Sequence, residues 1–564
     1  MLYYICKYTP IEAFSSMGTE MKPLSPEVNS FPLADSSLHP NLCSFAKGAW
    51  ETLVSEFEKD PDCEGIVLTT CCDSIKRLYD RIQTDFPDKF CYILDIPRLG
   101  NDFAARLYED RIMACLQKYA DFSGKKFRED ALRTLLQQPA SAPETQGSEE
   151  DSSCSIGLIG ARVSDALRQQ IRDAGLSIAF DRTCTGIDRY LTPEEGLPLM
   201  ESYSFRLLNQ FPCMRMADAD LRSRLIEPHL AGVQGLLLHT IKFCDNFSFE
   251  YAALKNALSI PILQLDTDGT NGSAGQIRTR IEAFAEEISG QMKHKNDNTD
   301  FIRKGETMYI LGIDSGSTST NAVILNEKKE ILAFDSIRTG AKSSDSAERI
   351  LKSILQKCGL SRSALTRIIS TGYGRVSIPF ADQNITEITC HGAGAHFLNP
   401  KIRTILDIGG QDSKAIRLNE KGEVEDFCMN DKCAAGTGRF LEAMARTLEL
   451  PIEELGPVSL TSKETVEISS MCTVFAESEV ISLIALNKEP SDIAAGVHLA
   501  MANKAMTLLR KVGLTPDFMM TGGVAKNAGV VAALEKILRQ KLFVPEEPEI
   551  VGALGAALLG FTLQ

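Results

Sequence analysis

A repeated pattern of strand, acidic residue, glycine turn and strand most constrains the fold of this chain. It occurs first in Tyr309–Leu325, where Asp314 ends an apolar run, and again in Ile405–Leu418, where Asp407 takes the same place. A third glycine turn, Gly522-Gly523, follows another apolar segment. Backbone N–H groups and hydroxyls in such turns bind phosphates. The pattern therefore predicts two acid-tipped β-hairpins and a late turn arranged around a phosphorylated ligand.

These features resemble the ATPases of the actin, Hsp70 and sugar-kinase superfamily. The resemblance implies an α/β fold with duplicated ribonuclease-H-like subdomains, in which the hairpins hold the phosphates of ATP and the acids hold Mg²⁺ through water. It implies three catalytic residues, Asp314, Asp407 and Gln411. The residues that it implies around the nucleotide are Ser315, Gly316, Ser317, Thr318, Gly409, Gly410, Gly522, Gly523 and Asn527.

Two cysteines in the same half of the chain stand in front of predicted helices. Cys433 shortly precedes the turn Gly436-Thr437-Gly438, and Cys472 precedes a second helical segment. A thiol at a helix N-terminus ionises easily, and the thiolate is the form that binds metal. Two thiolates are too few for a cubane cluster, which usually takes four, but a twofold dimer would supply them. Two buried structural cysteines are the alternative interpretation.

Four segments narrow the resemblance: Asp431–Glu442, Ser470–Glu479, Thr371–Arg375 and Glu387–Ala395. They resemble the activators of 2-hydroxyacyl-CoA dehydratases and the ATPase subunits of benzoyl-CoA reductases, over residues 308–564. In that family two protomers share one [4Fe–4S] cluster. The resemblance implies a homodimer with these ligands and cofactor-binding residues: Cys433 and Cys472, with Gly436, Thr437 and Gly438. Cys390 and Cys428 match no such role and are interpreted as structural.

The N-terminal half alternates apolar strands with helices, which predicts parallel, doubly wound sheets. A segment rich in Pro, Ser and Glu, residues 138–153, and a polar one, residues 291–307, read as linkers. The predicted domains are therefore 1–137, 154–290 and 308–564.

Several cysteines of the N-terminal half follow predicted strands, where doubly wound sheets bind ligands. The candidate metal ligands are Cys43, Cys71, Cys72, Cys184, Cys213 and Cys244. The remaining cysteines of this half are expected in the core or on the surface: Cys6, Cys63, Cys91, Cys115 and Cys154.

Six segments of this half resemble the iron–sulfur protein on which such activators act, which has two flavodoxin-like lobes: Lys7–Ala13, His39–Cys43, Cys72–Arg77, Asp181–Gly186, Lys242–Asp245 and Gly275–Phe284. The chain therefore looks like a fusion of reductase and acceptor. Dehydratase subunits bind one [4Fe–4S] cluster with three cysteines. Six candidates match the double-cubane proteins of the superfamily, with an [8Fe–9S] centre, and we favour that interpretation. Cys71 or Cys213 as an ordinary buried thiol is the alternative.

The predicted function is ATP-dependent, low-potential electron transfer from a [4Fe–4S] cluster to an acceptor cluster in the same chain, for reduction of a small substrate. A ferredoxin or flavodoxin is the expected donor. The alternative is an activator of a 2-hydroxyacyl-CoA dehydratase or benzoyl-CoA-type reductase fused to one of its iron–sulfur subunits. A third class, a sugar or acetate kinase with an appendage, has no use for the cysteines in front of the two helices.

Composition excludes several other classes of function. The net charge of −15 and the lack of a basic run interleaved with aromatic residues argue against binding to nucleic acid. The N-terminus lacks the pattern of a signal peptide, and the most apolar stretch, Val551–Leu563, is too short to span a bilayer. We therefore expect a cytoplasmic protein without a membrane partner, in which most of the 16 cysteines are free thiols or metal ligands.

Overall fold

The chain folds into two compact units, Met1–Ile281 and Glu282–Gln564, named here the first and the second unit. The computed structural model describes residues 1–137, 154–186, 191, 193, 196–217, 219–244, 247, 249–270, 274–289, 308–430, 434–464, 466–468 and 472–562. No helix within these ranges is long and apolar enough to cross a membrane.

The first unit is built on two parallel sheets. Its described strands are β1 (Leu2–Tyr4), β2 (Met21–Pro23), β3 (Gly65–Thr69), β4 (Phe90–Leu94), β5 (Cys154–Gly160), β6 (Leu176–Thr183), β7 (Gly235–Ile241) and β8 (Ile262–Thr267). They form sheets of order β2-β1-β3-β4 and β6-β5-β7-β8, with every pairing parallel. Both follow the flavodoxin-like order. This confirms the predicted pair of doubly wound lobes.

Amphipathic helices cover these sheets. The described helices are α1 (Ile11–Ser16), α2 (Pro32–Ser37), α3 (Ser44–Lys59), α4 (Asp73–Asp85), α5 (Asp102–Ser123), α6 (Glu129–Gln137), α7 (Asp165–Asp173), α8 (Leu199–Leu208), α9 (Ala219–Ile226), α10 (Glu250–Ala257) and α11 (Ala274–Ser289). The last turns of α11, from Glu282, belong to the second unit. In α4, helical spacing puts Ile75, Leu78 and Ile82 on one buried face. They share a core with Ile66 and Leu68 of β3, and burying each such side chain contributes about 1.5–3 kcal/mol. This packing fixes α4 directly after Cys72.

The second unit repeats one sheet topology twice. Its described strands are β9 (Ile310–Ser315), β10 (Ser319–Leu325), β11 (Ile331–Arg338), β12 (Arg367–Thr371), β13 (Gln383–Asn384), β14 (Thr404–Ile408), β15 (Ser413–Leu418), β16 (Val424–Asn430), β17 (Phe518–Thr521) and β18 (Leu542–Phe543). The sheet orders are β11-β10-β9-β12-β13 and β16-β15-β14-β17-β18. Each has an antiparallel meander followed by two parallel strands. The predicted duplicated, ribonuclease-H-like α/β fold is confirmed.

Two of this unit's helices pack backbone to backbone. The described helices are α12 (Ser343–Cys358), α13 (Glu387–Leu398), α14 (Gly438–Thr447), α15 (Ile452–Ser459), α16 (Thr473–Ala485), α17 (Pro490–Val512), α18 (Ala528–Leu538) and α19 (Val551–Leu559). A Cβ atom on Gly555 of α19 would lie 1.7 Å from the Cys390 carbonyl oxygen of α13, and one on Gly394 would lie 2.2 Å from the Val551 oxygen. Only glycine allows this approach. It fixes α13, and with it His391, beside the ends of β9 and β14.

Candidate functional site

The two predicted metal-side carboxylates lie on either side of one histidine. Asp314 and Asp407 are the penultimate residues of β9 and β14, so each duplicated sheet carries its acid at the same position. His391 Nε2 lies 4.0 Å from Asp314 Oδ2, and His391 Nδ1 lies 3.8 Å from Asp407 Oδ1. All three side chains are buried. Two buried carboxylates that face one histidine suit a divalent cation that keeps most of its water ligands, as Mg²⁺ does.

The two acids differ in protonation because their neighbours differ. Burial, with the nearby Glu387 carboxylate, raises the pKa of Asp314 to about 8. Burial also raises the pKa of Asp407, but its charged neighbours outweigh this and lower the value overall. Burial lowers the pKa of His391, so its ring is neutral at pH 7 and Lys414 supplies the positive charge. Without a cation, one carboxyl is therefore mostly protonated and the other ionised.

Lys414 of β15 holds this set of charges together. Its Nζ lies 2.7 Å from Asp412 Oδ2, 3.2 Å from Asp407 Oδ2 and 3.5 Å from Glu387 Oε1. The lysine side chain is 4 % exposed, and the three carboxylates raise its pKa well above the usual value despite burial. A buried cation with three acids leaves the group net negative, which suits the approach of a divalent metal ion.

The two hairpin turns are in contact beside the acids. A Cβ atom on Gly410 would lie 2.1 Å from Thr318 Oγ1, so only glycine fits at this point. The turn before α14 joins them, because the carbonyl oxygens of Gly409 and Gly410 accept hydrogen bonds from Gly438 N at 2.9 Å and Arg439 N at 3.0 Å. The structure thus gathers a hydroxyl and glycine backbone from three predicted segments, the chemistry that binds phosphate oxygens.

The other residues predicted to bind the nucleotide differ in burial, backbone conformation and hydrogen bonding. The Ser315 hydroxyl is buried without a hydrogen-bond partner, whereas Ser317 is exposed and Gln411 half-buried. Gly522 has φ +82°, and a Cβ atom there would lie 2.9 Å from Asp407 Oδ1. Gly316 N donates a hydrogen bond to the Ser319 carbonyl oxygen, and Gly523 lies near Glu549. Gly436 has φ +91°, and Thr437 is the N-cap residue of α14.

Asn527 has a structural task that the sequence did not suggest. Its side-chain oxygen accepts hydrogen bonds from Gly529 N at 3.0 Å and Val530 N at 3.1 Å, which caps α18. Its predicted place beside the nucleotide stays a prediction. The side-chain oxygen of Asn527 already accepts two hydrogen bonds within the protein.

The last turns of α11 add two carboxylates that sequence reasoning missed. Glu286 accepts hydrogen bonds from Thr386 N at 3.1 Å, from Thr386 Oγ1 at 2.5 Å and from Thr389 Oγ1 at 2.5 Å. It thereby caps α13, the helix that carries His391, from outside that helix. Glu282 forms a salt bridge with Arg375, which is 3 % exposed and lies in the loop after β12. Both contacts lie within the second unit.

We expect Glu286→Gln to destabilise the second unit by about 1–3 kcal/mol, because an amide NH₂ would face donors that now bind a buried carboxylate. Glu287→Gln, one residue further along α11, is the matched control. Denaturant unfolding of the full chain, with the transition of this unit identified by its shift with Mg-ATP, measures the difference. Equal stability of the two variants would contradict the capping role.

The structure describes one of the two predicted cluster ligands of the second unit. Cys472 is the N-cap residue of α16 and is partly buried, whereas Cys433 lies outside the described residues. Large apolar side chains are exposed on α16 and directly after it: Val474, Phe475, Ile481, Ile484 and Leu486. Val474 and Phe475, next to Cys472, are 67 % and 63 % exposed. An apolar patch of this kind marks an interaction surface.

In the first unit the predicted thiols occupy one edge of each sheet. Cys72 follows β3 and is the N-cap residue of α4, and Cys43 holds the same place before α3. Cys184 follows β6, and Cys244 follows β7. Cys213 lies in the loop before α9, with its N–H donating to Tyr8 Oη at 3.3 Å. The prediction that Cys72, Cys184 and Cys244 follow strand ends is confirmed. The role of all these thiols as ligands stays a prediction.

The surroundings of these thiols fit an iron–sulfur group. Within the described part of the chain, no three His, Cys, Asp or Glu side chains converge as a single metal ion would require. Cluster ligands bind different iron atoms and therefore lie farther apart. The Thr183 hydroxyl, at the end of β6 next to Cys184, is buried without a hydrogen-bond partner. A buried hydroxyl left open beside a thiol indicates room for an acceptor such as cluster sulfide.

Sequence reasoning missed Lys414 and Cys6. Strand alternation places Asp412 and Lys414 on one side of the chain, and a lysine inside an apolar strand was the available signal. Cys6 follows the short strand β1 just as Cys72 follows β3, but its sequence setting was less suggestive, so it was expected in the core or on the surface. His391 and Glu387 were inside a segment used for the resemblance, without a role of their own.

Comparisons with known proteins agree with this arrangement. The profile of the BadF/BadG/BcrA/BcrD ATPase family matches residues 311–560. The profile of the 2-hydroxyglutaryl-CoA dehydratase D-component matches residues 6–140 and 135–288. The two matches divide the chain in the order that the motifs predict.

Relatives of the C-terminal half include the activator of lactoyl-CoA dehydratase from Anaerotignum propionicum, 49 % identical over 254 residues, 45 % of this chain and 98 % of that protein. The 2-hydroxyisocaproyl-CoA dehydratase activator from Clostridioides difficile is 44 % identical over 45 % of this chain and 95 % of its own length. A benzoyl-CoA reductase subunit from Thauera aromatica is 35 % identical over 44 % of this chain and 92 % of its own length.

Among solved structures, the activator of the 2-hydroxyisocaproyl-CoA dehydratase from Clostridium difficile with bound ADPNP aligns with 44 % identity and a TM-score of 0.44, over 45 % of this chain and 94 % of its own. The sequence matches confirm the resemblance inferred from the motifs. The chain therefore belongs to the BadF/BadG/BcrA/BcrD ATPase family through its C-terminal half and to the 2-hydroxyglutaryl-CoA dehydratase D-component family through its N-terminal half.

Proposed function

We propose that this chain is an ATP-driven iron–sulfur reductase in which ATP hydrolysis by the second unit sends single electrons of low potential to an iron–sulfur acceptor in the first. One observation carries the proposal: a single chain contains the acid pair Asp314 and Asp407 of an ATPase and, in its first unit, several free thiols near strand ends. Joining the two units in one chain keeps their effective concentration high.

In the second unit, Asp314 and Asp407 would hold Mg²⁺ through water, and Thr318, Gly409 and Gly410 would bind the phosphates. Hydrolysis of the γ-phosphate needs positioning and charge neutralisation more than covalent chemistry. Lys414 keeps Asp407 ionised for this purpose, since its Nζ is 3.2 Å away. Entry of the cation would release the proton that Asp314 holds near neutral pH.

Cys433 and Cys472 would bind a [4Fe–4S] cluster together with the same residues of a second copy of the chain. Such a cluster supplies one-electron chemistry, with potentials that reach about −700 mV. The exposed apolar residues beside Cys472 support a homodimer, because a solvent-exposed patch next to the ligand would be covered by the second copy. A ferredoxin or flavodoxin is the expected donor.

ATP is needed because the transfer is energetically uphill. Raising one electron by ~300 mV costs about 7 kcal/mol, at ~59 mV for each factor of ten. A nucleotide-dependent change of conformation can supply this free energy. The helix α16 begins directly after Cys472 and α14 begins five residues after Cys433, which makes them the elements that would respond to nucleotide.

The alternative is an activator of a 2-hydroxyacyl-CoA dehydratase or benzoyl-CoA-type reductase fused to one of its iron–sulfur subunits. The names of the relatives favour it, because they are activators of dehydratases and one component of a reductase. The two proposals differ in the acceptor, a double-cubane centre in the first and a single cubane in the second.

Iron and acid-labile sulfide counted on anaerobically purified protein test both proposals. A double cubane and half of a shared cubane give about ten irons per chain, whereas a single cubane and half of the shared one give about six. We expect about ten. Protein that contains no iron when prepared without oxygen would overturn both proposals and leave a plain kinase or ATPase.

A further inference from the structure

The thiol of Cys6 lies among the candidate ligands of the first unit. It follows β1 as Cys72 follows β3, at the same edge of the first sheet. Its sulfur is within electrostatic reach of Cys213, Cys184 and Cys71. The buried Thr69 hydroxyl stands beside the thiols of Cys6 and Cys71.

Hydrogen bonds hold Cys6 close to the loop that carries Cys213. Lys7 Nζ donates to the Phe211 oxygen at 2.7 Å, and Tyr8 Oη accepts from Cys213 N at 3.3 Å. Cys184 is close to both thiols and to the guanidinium of Arg162. Cys6, Cys184 and Cys213 therefore form one group, with the cations Lys7 and Arg162 beside it, as thiolates bound to metal require.

A second group contains Cys43, Cys72 and Cys244. Cys43 N donates to Ser74 Oγ at 3.4 Å, which joins the start of α3 to the start of α4, and the two thiols interact. Ser44 N donates to the Lys242 oxygen at 3.5 Å, which places the loop of Cys244 beside Cys43. Each group thus takes thiols from both lobes of the unit.

Cys71 is not assigned to either of these two groups of thiols. Its thiol lies against the sulfur of its neighbour Cys72, which is itself a candidate ligand. Two consecutive residues also point to different sides of an extended segment, and Cys72 already takes the helix N-cap position.

From this geometry we infer that Cys6, and not Cys71, completes the ligand set of the first unit, as two triads: Cys6, Cys184 and Cys213 for one cubane, and Cys43, Cys72 and Cys244 for the other. The inference rests on the proposed function and makes it more specific. The open hydroxyl of Thr183, next to Cys184, would donate to cluster sulfide.

The test compares Cys6→Ala with Cys71→Ala in the full chain, purified without oxygen and analysed for iron, sulfide and EPR signals. We expect Cys6→Ala to lose about four irons per chain, one cubane, and Cys71→Ala to match the wild type. Cys184→Ala and Cys213→Ala should repeat the loss and the EPR change of Cys6→Ala, because the three thiols would hold one cubane.

Thermal unfolding of the iron-free proteins separates ligand loss from misfolding, since a thiol that only binds iron leaves apoprotein stability close to that of Cys71→Ala. The inference is overturned when Cys6→Ala keeps the iron and EPR signals of the wild type, or when Cys71→Ala loses as much iron as Cys6→Ala. Wild-type protein with only about two irons per chain, the share of the shared cubane, would instead overturn the proposed acceptor itself.

Discussion

Asp314→Asn is expected to abolish ATP hydrolysis and, at the same time, to stabilise the nucleotide-free protein near neutral pH. The loss of activity follows because the carboxylate closest to the first hairpin no longer binds a cation, and removing such a group costs about 100-fold or more in rate. The gain in stability follows from burial of a carboxyl whose pKa is raised from 3.8 to about 8.

The direction of the pH effect follows from the two pKa values. Because the folded value lies above the unfolded one, the stability contributed by the protonated Asp314 is complete below pH 4 and is lost as the pH rises toward 8. Asparagine has no proton to lose. The free energy of unfolding of the variant should therefore exceed that of the wild type by a margin that grows to about 2–4 kcal/mol at pH 7–8.

Calorimetry of the full chain without Mg²⁺ and nucleotide measures this margin, with the transition of the second unit assigned by its shift when Mg-ATP is added to the wild type. The matched control is Asp335→Asn, in which an acid of β11 that pairs with Lys357 at 2.6 Å is changed in the same way. The control should keep ATPase activity. An Asp314→Asn protein with normal activity, or with stability that parallels the wild type at every pH, would refute the assignment.

The fold could be predicted from the sequence where spacing alone determines structure. Asp314 and Asp407 each end an apolar run before a glycine turn, and this local pattern was enough for two hairpins, as β9–β10 and β14–β15 confirm. Parallel sheets followed from strands alternating with helices. Because such strands end at one edge, the positions of Cys72, Cys184 and Cys244 could also be predicted.

The partners of charged residues could not be predicted in the same way. Lys414 and Asp407 are joined by the pairing of β14 with β15, but the third partner of the lysine, Glu387, comes from α13, a separate element. Glu286 contacts Thr386 and Thr389 across about a hundred residues, at the end of a helix whose sequence gives no hint of them. Such contacts depend on tertiary packing, which residue spacing does not encode.

The double variant Cys433→Ser/Cys472→Ser is expected to lose the shared cluster and the dimer together. Two copies of the chain would supply four thiolates to one cubane, so removing both from each copy leaves the cluster without protein ligands. Without the cluster, nothing links the two copies at Cys472, and the exposed apolar residues beside it are no longer held against a second copy of the chain. We expect about two irons fewer per chain and a monomer under oxygen-free conditions, measured by iron analysis and light scattering on the same sample.

Cys358→Ser, a partly buried thiol at the end of α12 in the same unit, is the control and should keep both iron and dimer. The acceptor in the first unit should keep its own iron in the double variant, because its candidate ligands are different thiols, in the first unit. ATP hydrolysis should continue, since Asp314, Asp407 and the hairpin turns are unchanged, but it should no longer reduce the acceptor. A double variant that stays dimeric with the full iron content would show that the iron of this chain is held elsewhere and that ATP drives a different process.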